Sequence, residues 1–319
     1  MLAESRQTLP PEGVLPGSLH YEQKPDGFRA IVFARADLVR VQSRQGSDLT
    51  PAFPDIAQAA ALVGEDLVLD AELVVPHEGR LHFGELQRRA RHRGPSAIRA
   101  AAERPAYLIV FDVLEAAGTE LIARPYRERR ARLEDLFASG VLSAPFTLCP
   151  ATTDRATALD WLDPAWGAAG IEGVVVKGAE QAYHMGKRAW VKVRARTTAE
   201  AVICAVTGAA TSPSSLLLGR SDASGRLRLI ARTTPLPTAA RRDLGTRVRP
   251  AGPDHPWRGR RFSAGWGSRG ELEFDPVHPE IVVEFLADTA VDDGRYRHSV
   301  RFLRVREDLT ADQLPLLGA

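Results

Sequence analysis

The sequence predicts an α+β fold in two parts: a domain of antiparallel sheets with helices, followed by a small β-barrel. Short alternating or apolar runs bounded by turn residues are typical of strands. Helical stretches fall irregularly between the runs, without a regular βαβ repeat. After residue 197 the pattern changes to five short strands and one helix in about 120 residues, which indicates a barrel of the OB type.

Three segments follow from these patterns. Residues 1–18 are rich in Pro, Gly and Ser and predict a loose lead-in. The first domain then spans 19–197 and the second 198–319. Predicted strands of the first domain are LHYEQ, FRAIVFA, LVRVQSR, LVLDAELVV, AYLIVFDVL, GVVVKG and AWVKVRA, and its predicted helices are 55–63, 84–93, 97–102, 126–139 and 155–161. Predicted strands of the second are AEAVICAVTG, LLLGR, RLRLIART, EIVVEFL and VRFLRVR, with a helix at 238–247.

Composition excludes several classes of protein. With 44% hydrophobic and 26% charged residues, the chain is neither disordered nor fibrous. A net charge of +2 does not by itself indicate a nucleic-acid partner. Two cysteines, Cys149 and Cys204, are too few for a disulfide framework or a four-cysteine zinc site. No apolar stretch reaches about 18 residues and no signal peptide is visible, so we expect a cytoplasmic protein without membrane contact.

Charge is unevenly distributed in the second half. Residues 241–261 hold seven Arg and two Asp, and residues 295–306 hold five Arg and no acid. Between them, residues 271–293 hold eight acidic residues and no Lys or Arg. Such blocks are usually solvated faces, and a groove lined by the two basic blocks is the alternative.

Lysine is rare in this chain. Of the 42 Lys and Arg residues only four are lysine, namely Lys24, Lys177, Lys187 and Lys192. Arg stays protonated in proteins, whereas Lys can lose its proton and act as a nucleophile. We therefore expect lysine where arginine chemistry does not serve.

The first lysine begins the run KPDGFR, residues 24–29, between two predicted strands. The Pro-Asp-Gly sequence is typical of a β-turn, and a plain turn is one interpretation. The other is a nucleophilic Lys24 aimed at a phosphate, with Arg29 holding phosphate oxygens. A free lysine has a pKa of about 10.4, so this interpretation requires nearby cations that lower the pKa of Lys24.

Two further lysines lie on neighbouring predicted strands, IEGVVVK (171–177) and WVKVR (190–194). Side chains two apart in a strand share a face. Regular alternation places Glu172 with Val174 and Val176, on the face opposite to Lys177. Solvated strand faces would also explain these lysines.

Seven motifs in order resemble those of ATP-dependent DNA ligases, most closely the short bacterial enzymes and the ligase module of bacterial end-joining enzymes. The motifs are KPDGFR, SRQG (43–46), LDAELV (69–74), FDVL (111–114), IEGVVVK, WVKVR and RHSVRFLRVRED (297–308). RPYRERR (124–130) and DHPW (254–257) are shared as well. The resemblance covers residues 19–308 and implies an adenylation (nucleotidyltransferase) domain followed by an OB-fold domain.

The resemblance also implies residue roles. Lys24 would carry AMP, with Asp26, Arg29 and Lys192 as further catalytic residues. The nucleotide would be bound by Glu22, Lys24, Arg29, Arg44, Glu72, Phe111, Lys177, Arg188, Lys192 and Arg306. Glu172 would bind Mg²⁺ or Mn²⁺. DNA would be contacted by Ser43, Arg44, Arg194, Arg297, Arg301 and Arg304.

The implied function is ATP-dependent sealing of 5′-phosphate/3′-hydroxyl nicks in double-stranded DNA during repair. The implied protein is monomeric and nucleoid-associated, with Ku and a repair polymerase as possible partners. An RNA ligase, a GTP-dependent capping-type nucleotidyltransferase and a catalytically dead DNA-binding adaptor are the alternatives. The chain departs from the family pattern at Arg194, where lysine is usual, and at Ala71, where glycine is usual. It departs again at Leu309, since lysine usually follows the closing Arg-x-Asp.

Overall fold

Two units divide the chain, Met1–Ala195 and Arg196–Ala319. The computed structural model describes residues 1–263 and 270–317. The division falls two residues before the end of the predicted first domain. None of the helices in the described residues has the length and hydropathy that a bilayer span needs.

The first unit contains most of the helices. Its strands are β1 (Leu2–Arg6), β2 (Leu19–Pro25), β3 (Phe28–Arg35), β4 (Leu38–Ser43), β5 (Leu67–Val74), β6 (Pro76–His77), β7 (Arg80–Leu81), β8 (Tyr107–Ala116), β9 (Thr119–Glu120), β10 (Phe146–Leu148), β11 (Ala151–Thr152), β12 (Ile171–Gly178) and β13 (Arg188–Arg194). Its helices are α1 (Pro54–Ala61), α2 (Phe83–Arg89), α3 (Pro95–Glu103), α4 (Tyr126–Ala138) and α5 (Arg155–Asp160), with 3₁₀ helices at Thr50–Ala52 and Pro164–Ala169.

One sheet of this unit has the order β1-β13-β12-β2-β11. Alternation along its strands buries one apolar face, which packs against the end of α5. Leu19 and Tyr21 of β2 and Val174 and Val176 of β12 belong to this core. The opposite face of β2 carries polar residues, so the sheet presents chemistry on one side and core on the other.

The other sheet has the order β10-β8-β5-β3-β4, with β9 paired to β8. Ala30, Val32 and Ala34 alternate along β3 into the larger core of the unit. Side chains of α1, α2 and α4 pack on the same core. The other face of β3 and β8 joins a smaller cluster around Trp190 and Tyr183. Most strand pairs are antiparallel, while β1–β13 and β10–β8 are parallel.

The prediction of a loose lead-in over residues 1–18 is wrong for its first part. Leu2–Arg6 forms β1, which pairs in parallel with β13. Met1 is 4% exposed and packs in the cluster with Trp190, and Leu9 is also buried. Composition predicted a loop here. The segment is ordered instead because β1 covers the edge of β13 and because the apolar side chains of Met1 and Leu9 are buried.

The second unit is mainly β-structure. Its strands are β14 (Arg196–Thr207), β15 (Ser215–Ser221), β16 (Leu227–Arg232), β17 (Asp275–Pro276), β18 (Val282–Asp288), β19 (Val291–Asp292), β20 (Arg295–Tyr296) and β21 (Arg301–Val305). It also contains α6 (Thr238–Arg247) and a 3₁₀ helix at Ala311–Gln313.

The main sheet of this unit has the order β16-β15-β14-β18-β21, with β17 on β14. A parallel bridge between Thr233 and Val300 joins the two edges of this order. The Val300 amide donates to Arg232 O at 2.9 Å, and the Thr234 amide donates to Val300 O at 2.8 Å. The sheet therefore curls onto itself, and the predicted α+β class with an OB-type barrel is confirmed.

A buried ion pair connects helix α4 to β8. Arg129 donates through Nε and Nη2 to Asp112 at 2.7 and 2.9 Å, and both side chains are fully buried. We expect Arg129→Met to lower the free energy of unfolding of the first unit by about 3–5 kcal/mol, because Asp112 is left as an unpaired buried charge. Denaturant unfolding of the full chain measures this change.

Arg127→Met is the matched control, since Arg127 lies on the same helix and pairs with Glu180 at half exposure. Its cost should stay below about 1 kcal/mol. Equal losses in the two variants would contradict a special role for the buried pair.

Candidate active site

The polar face of β2 holds the first predicted lysine. Alternation along β2 directs Tyr21 into the core and Glu22 and Lys24 to the opposite face. The Pro-Asp-Gly turn then leads directly into β3. Gly27 lies so close to the backbone of Leu73 that a Cβ would collide with it. The two interpretations of KPDGFR are therefore compatible: Lys24 lies on the polar face of β2, and the turn after it leads into β3 of the other sheet.

An irregularity in β12 brings Glu172 to Lys24. The register between β12 and β2 shifts between Ile171 and Val174, and Gly173 has a φ of +144°. Lys24 Nζ donates to Glu172 Oε1, and the Glu172 side chain is 5% exposed. The expectation from regular alternation, which placed Glu172 on the opposite face, is wrong because the bulge inserts an extra residue into the strand.

The pKa of Lys24 departs from the expectation of a lowered value. Burial lowers the pKa of Lys24, but the carboxylates of Glu172 and Glu72 outweigh it, so the pKa is raised above its ordinary value. The nearest charges are anionic, whereas the sequence argument required cations. Lys24 is therefore an ammonium ion in this state of the protein.

Cations lie close to the Lys24–Glu172 pair, and two of them, Lys192 and Arg194, are on β13, the neighbour of β12. The pKa of Lys192 is lowered, first by burial and then by the charges of Arg194 and Lys24, with a smaller contribution from Arg44. Arg194 Nε lies 3.4 Å from Glu172 Oε2. Lys192 and Arg194 share a face of β13, as predicted, and Arg44 is exposed in the turn after β4. The structure thus brings Lys24, Lys192, Arg194 and Arg44 into one neighbourhood.

Glu72 adds a carboxylate on β5. Burial is the main cause that raises the pKa of Glu72 to about 7, and Glu172 and Asp26 raise it further while Lys24 lowers it. Asp26 is held at the turn by its amide, which donates to Gly170 O at 2.9 Å. The carboxylates of Glu172 and Glu72 therefore both act on the amine of Lys24, although they come from separate segments of the chain.

Glu22 and Lys177 form a buried pair on the same face. Lys177 Nζ lies 2.7 Å from Glu22 Oε2 and donates to Phe111 O at 2.8 Å, and the two side chains are 0% and 2% exposed. The rings of Phe111, Tyr126 and Trp190 surround Nζ at 4.9, 4.8 and 4.3 Å from their centroids. Lys177 is thus a buried partner of Glu22, enclosed by aromatic rings.

Arg29 is engaged by protein groups. Its Nε and Nη2 donate to Asp70 at 2.9 and 2.6 Å, Nη2 donates to Tyr183 Oη at 3.1 Å, and Nη1 donates to the carbonyl of Met1. Burial lowers the pKa of Arg29, but Asp70 raises it more, so the guanidinium stays charged. Its predicted phosphate contact stays a prediction beside this bidentate pair.

Phe111 is half-buried on β8, and its ring lies 6.1 Å from that of Trp190 in an edge arrangement. Ser43 ends β4, and its Oγ accepts from the Ser47 amide at 3.0 Å. Arg188 is exposed at the start of β13, about 13 Å along the strand from Lys192. Arg188 therefore lies well apart from Lys192 on the same strand.

The remaining predicted residues belong to the second unit. Arg301 is exposed on β21, and Arg304 Nε donates to Glu284 at 2.6 Å. Arg306 is bound by Asp308 at 2.9 and 2.7 Å and by Glu200 at 2.8 Å. Arg297 precedes β21 and is half-buried.

Some residues around the site were not assigned from the sequence. Asp70 and Tyr183 hold Arg29, and Tyr126 Oη donates to Glu22 Oε1 at 2.5 Å. Trp190 forms one wall of the Lys177 surroundings. The motif RPYRERR contains Tyr126 and was the available signal, but nothing in the sequence connects it with Glu22, 104 residues away.

A family model described as the ATP dependent DNA ligase domain matches residues 1–194 of the chain. The chain belongs to the ATP-dependent DNA ligases. DNA ligase C2 of Mycolicibacterium smegmatis (strain ATCC 700084 / mc(2)155) is 34% identical over 331 residues, which cover 98% of this chain and 91% of the relative. DNA ligase C of Mycobacterium tuberculosis (strain ATCC 25618 / H37Rv) is 34% identical, over 97% of this chain and 89% of the relative.

A solved structure agrees with this membership. The crystal structure of the ligase domain from M. tuberculosis LigD matches with a TM-score of 0.50 and 25% identity, covering 98% of both chains. The predicted ATP-dependent DNA ligase family is confirmed. These matches favour a DNA ligase over the RNA ligase, capping-type and adaptor alternatives.

The bulge at Gly173 generates the first prediction for this ligase. We expect Gly173→Ala to reduce nick sealing more than tenfold, because a Cβ would collide with the carbonyl of Val193 and the φ of +144° is strained for alanine. Glu172 would then lose its place beside Lys24. Gel assay of a nicked duplex measures the rate.

Gly118→Ala is the control, since Gly118 also has a positive φ, +73°, but a Cβ there meets open space. It should lower stability by about 1 kcal/mol and leave sealing unchanged. Full activity of Gly173→Ala would show that the ligase does not need the bulge.

The raised pKa of Glu72 generates a prediction for stability. Its folded pKa of about 7 exceeds the ordinary value of 4.5, so the folded ligase binds more protons between these values. This contribution to stability is full below about pH 4.5 and is lost as the pH rises through about 7. We expect Glu72→Gln to melt above the wild type at pH 8 without nucleotide, and the difference to shrink toward pH 4.5.

Thermal melts across this pH range measure the effect. Glu120→Gln changes an exposed carboxylate and should follow the wild-type pH dependence. A constant offset between Glu72→Gln and wild type at all pH values would contradict the titration of Glu72.

Proposed function

We propose that Lys24 is the residue that takes AMP from ATP in this DNA ligase, and that the AMP then activates the 5′-phosphate of a nick. The observation that carries the proposal is the position of Lys24 Nζ. It lies on a polar strand face with Glu172 of the neighbouring β12 as its direct partner, Glu72 nearby, and Lys192 and Arg194 on β13, beyond β12. A nucleophile, carboxylates and phosphate-binding cations therefore converge.

In the first step, Lys24 Nζ attacks the α-phosphorus of ATP. The N–P bond forms, the bond between the α-phosphorus and its bridging oxygen breaks, and pyrophosphate leaves with the bond electrons. Lys24 must lose a proton before the attack, and the proton passes to Glu172 Oε1, which already accepts a hydrogen bond from Lys24 Nζ. Glu172 therefore holds the ammonium until the nucleotide is in place.

The remaining contacts with the nucleotide follow the family resemblance. Glu22 accepts from the 6-amino group of adenine, and Phe111 stacks on the base. Glu72 accepts from the ribose hydroxyls, a role that fits a carboxylate with several acceptor positions. Arg44 and Lys192 neutralise phosphate oxygens, as their shared neighbourhood allows. Arg29 reaches phosphate while Asp70 orients its guanidinium.

A divalent cation, Mg²⁺ or Mn²⁺, would be held by Glu172. The chemistry of the donors fits: Glu172, Glu72 and Asp26 are carboxylates, and the charges of Glu172 and Asp26 raise the pKa of Glu72. Mg²⁺ commonly takes one or two carboxylates together with substrate phosphates and waters. When bound, the cation supplies charge neutralisation at the phosphates.

Two further steps complete the reaction. The 5′-phosphate of the nick attacks the lysyl-bound phosphorus and takes the AMP, and Lys24 is released. The 3′-hydroxyl then attacks the 5′-phosphate, the phosphodiester bond forms and AMP leaves. Ser43, Arg44 and Arg194 would contact the DNA beside the nick, and the barrel would hold the duplex through Arg297, Arg301 and Arg304. Arg306 would orient pyrophosphate.

Association with Ku and a repair polymerase, the monomeric state and a nucleoid location stay predictions.

Lys24→Arg tests the nucleophile. We expect no covalent AMP, because the pKa of arginine above 12 leaves no neutral form and its delocalised nitrogens attack phosphorus poorly. A pre-adenylylated nick should still be sealed at a measurable rate, since only the first step needs the free amine. Labelled ATP with a denaturing gel measures the first reaction, and the pre-adenylylated duplex measures the last.

Lys187→Arg is the matched control, because Lys187 is another of the four lysines and is exposed. It should label as the wild type does. Covalent AMP on Lys24→Arg would overturn the proposal, and efficient labelling of the wild type by GTP or NAD in place of ATP would overturn the nucleotide assignment.

Arg301→Ala tests the duplex contact of the barrel. If the exposed Arg301 contacts one phosphate, its removal should reduce the slope of log K against log salt for nick binding by about 0.9. Arg99→Ala removes the same charge from the exposed surface of α3 and should leave the slope unchanged. Identical slopes for both variants would contradict an Arg301 phosphate contact.

A further inference from the structure

Side chains of helix α4 contact the carboxylate of Glu22 on β2, a strand that is distant from α4 in sequence. Glu22 is 2% exposed, and Tyr126 at the start of α4 donates its hydroxyl to Glu22 Oε1 at 2.5 Å. Lys177 occupies the other oxygen at 2.7 Å. Arg130, one turn further along α4, lies 3.8 Å from Oε1. Each oxygen of Glu22 therefore has a direct partner that can donate a hydrogen bond.

These partners leave the carboxylate able to accept further hydrogen bonds. An ionised carboxylate has about four acceptor positions, and Tyr126 and Lys177 use two. Burial and the charge of Glu22 raise the pKa of Tyr126 well above its ordinary value, so the phenol keeps its proton and donates. Glu22 is thus held in one orientation as a pure acceptor.

We propose that Tyr126 is a positioning residue that fixes Glu22 for recognition of the 6-amino group of adenine, and that it thereby sets the nucleotide preference of the first step. The inference rests on the proposed function of Glu22. Adenine presents an amino donor at this position, whereas guanine presents an acceptor oxygen. A fixed acceptor favours the first and leaves buried acceptors unpaired with the second.

The contacts of the Tyr126 ring show why its hydroxyl can be tested separately. The ring lies 4.8 Å from Lys177 Nζ and 5.3 Å from the ring of His20. Phenylalanine keeps this packing and removes only the donor to Glu22. Without that donor, Lys177 still pairs with Oε2, whereas Oε1 keeps the longer 3.8 Å contact with Arg130, so the carboxylate is held less firmly.

The experiment compares two nucleotides in the first step. Initial rates of covalent labelling are measured with ATP and with purine riboside triphosphate, which lacks the 6-amino group. In the wild type kcat/KM should favour ATP, and in Tyr126→Phe this preference should fall about tenfold, mainly through a higher KM for ATP. The ratio comes from one preparation, so partial unfolding does not change it.

Tyr21→Phe is the matched control. Tyr21 precedes Glu22, is 0% exposed, and its hydroxyl has no hydrogen-bond partner among residues 1–263 and 270–317. The Tyr21→Phe variant removes an equally buried phenol hydroxyl from the other face of β2. The preference of this variant for ATP should equal that of the wild type.

The inference is overturned if Tyr126→Phe keeps the wild-type preference, even with a lowered melting temperature, since Tyr126 would then be structural only. An equal loss in Tyr21→Phe would also overturn it, because any buried phenol would do. Wild type that labels equally with both nucleotides would refute recognition by Glu22 but uphold AMP transfer. Wild type that labels with neither would refute the proposed function itself.

Discussion

The contact between Lys24 and Glu172 depends on one backbone irregularity, and the site is arranged around it. A regular β12 would direct Glu172 into the apolar core beside Val174 and Val176. Gly173, with a conformation that disfavours a side chain, turns the carboxylate toward the amine instead. The carboxylate of Glu172 helps to raise the pKa of Lys24 above its ordinary value, so the lysine is an ammonium ion. The bulge that brings the two residues together belongs to β12, the strand that also carries Lys177.

Arginine and lysine form different kinds of ion pair in the first unit. Arg29 and Arg129 each form a bidentate pair with a fully buried aspartate, Asp70 and Asp112. The planar guanidinium suits this fixed geometry, and it stays charged even when buried. The ammonium groups of Lys24 and Lys177 instead meet Glu172 and Glu22 as point charges. In the second unit, acidic residues from the block at 271–293 pair with some arginines of the basic blocks, as Glu284 does with Arg304, so those blocks are partly neutralised.

Local sequence patterns predicted most of the helices and strands of the fold. The helices predicted at 126–139 and 238–247 occur as Tyr126–Ala138 and Thr238–Arg247, because helix formers and a preceding proline define them locally. Regular alternation along β2 separates Glu22 and Lys24 from its core face. The same reasoning failed for Glu172, because a bulge adds a residue without a signal that distinguishes Gly173 from an ordinary strand glycine.

The sequence by itself determined the fold class, the family and several of the residues around Lys24, because these depend on short-range periodicity and motif order. Only the tertiary structure decided how the residues are paired. It raised the pKa of Lys24 where a lowered one was expected, since anions from β5 and β12 lie closer than the cations. It also joined Tyr126 to Glu22 and seated Leu2–Arg6 against β13. Such contacts join segments that are far apart in the chain, and charge and burial there depend on packing that no local pattern encodes.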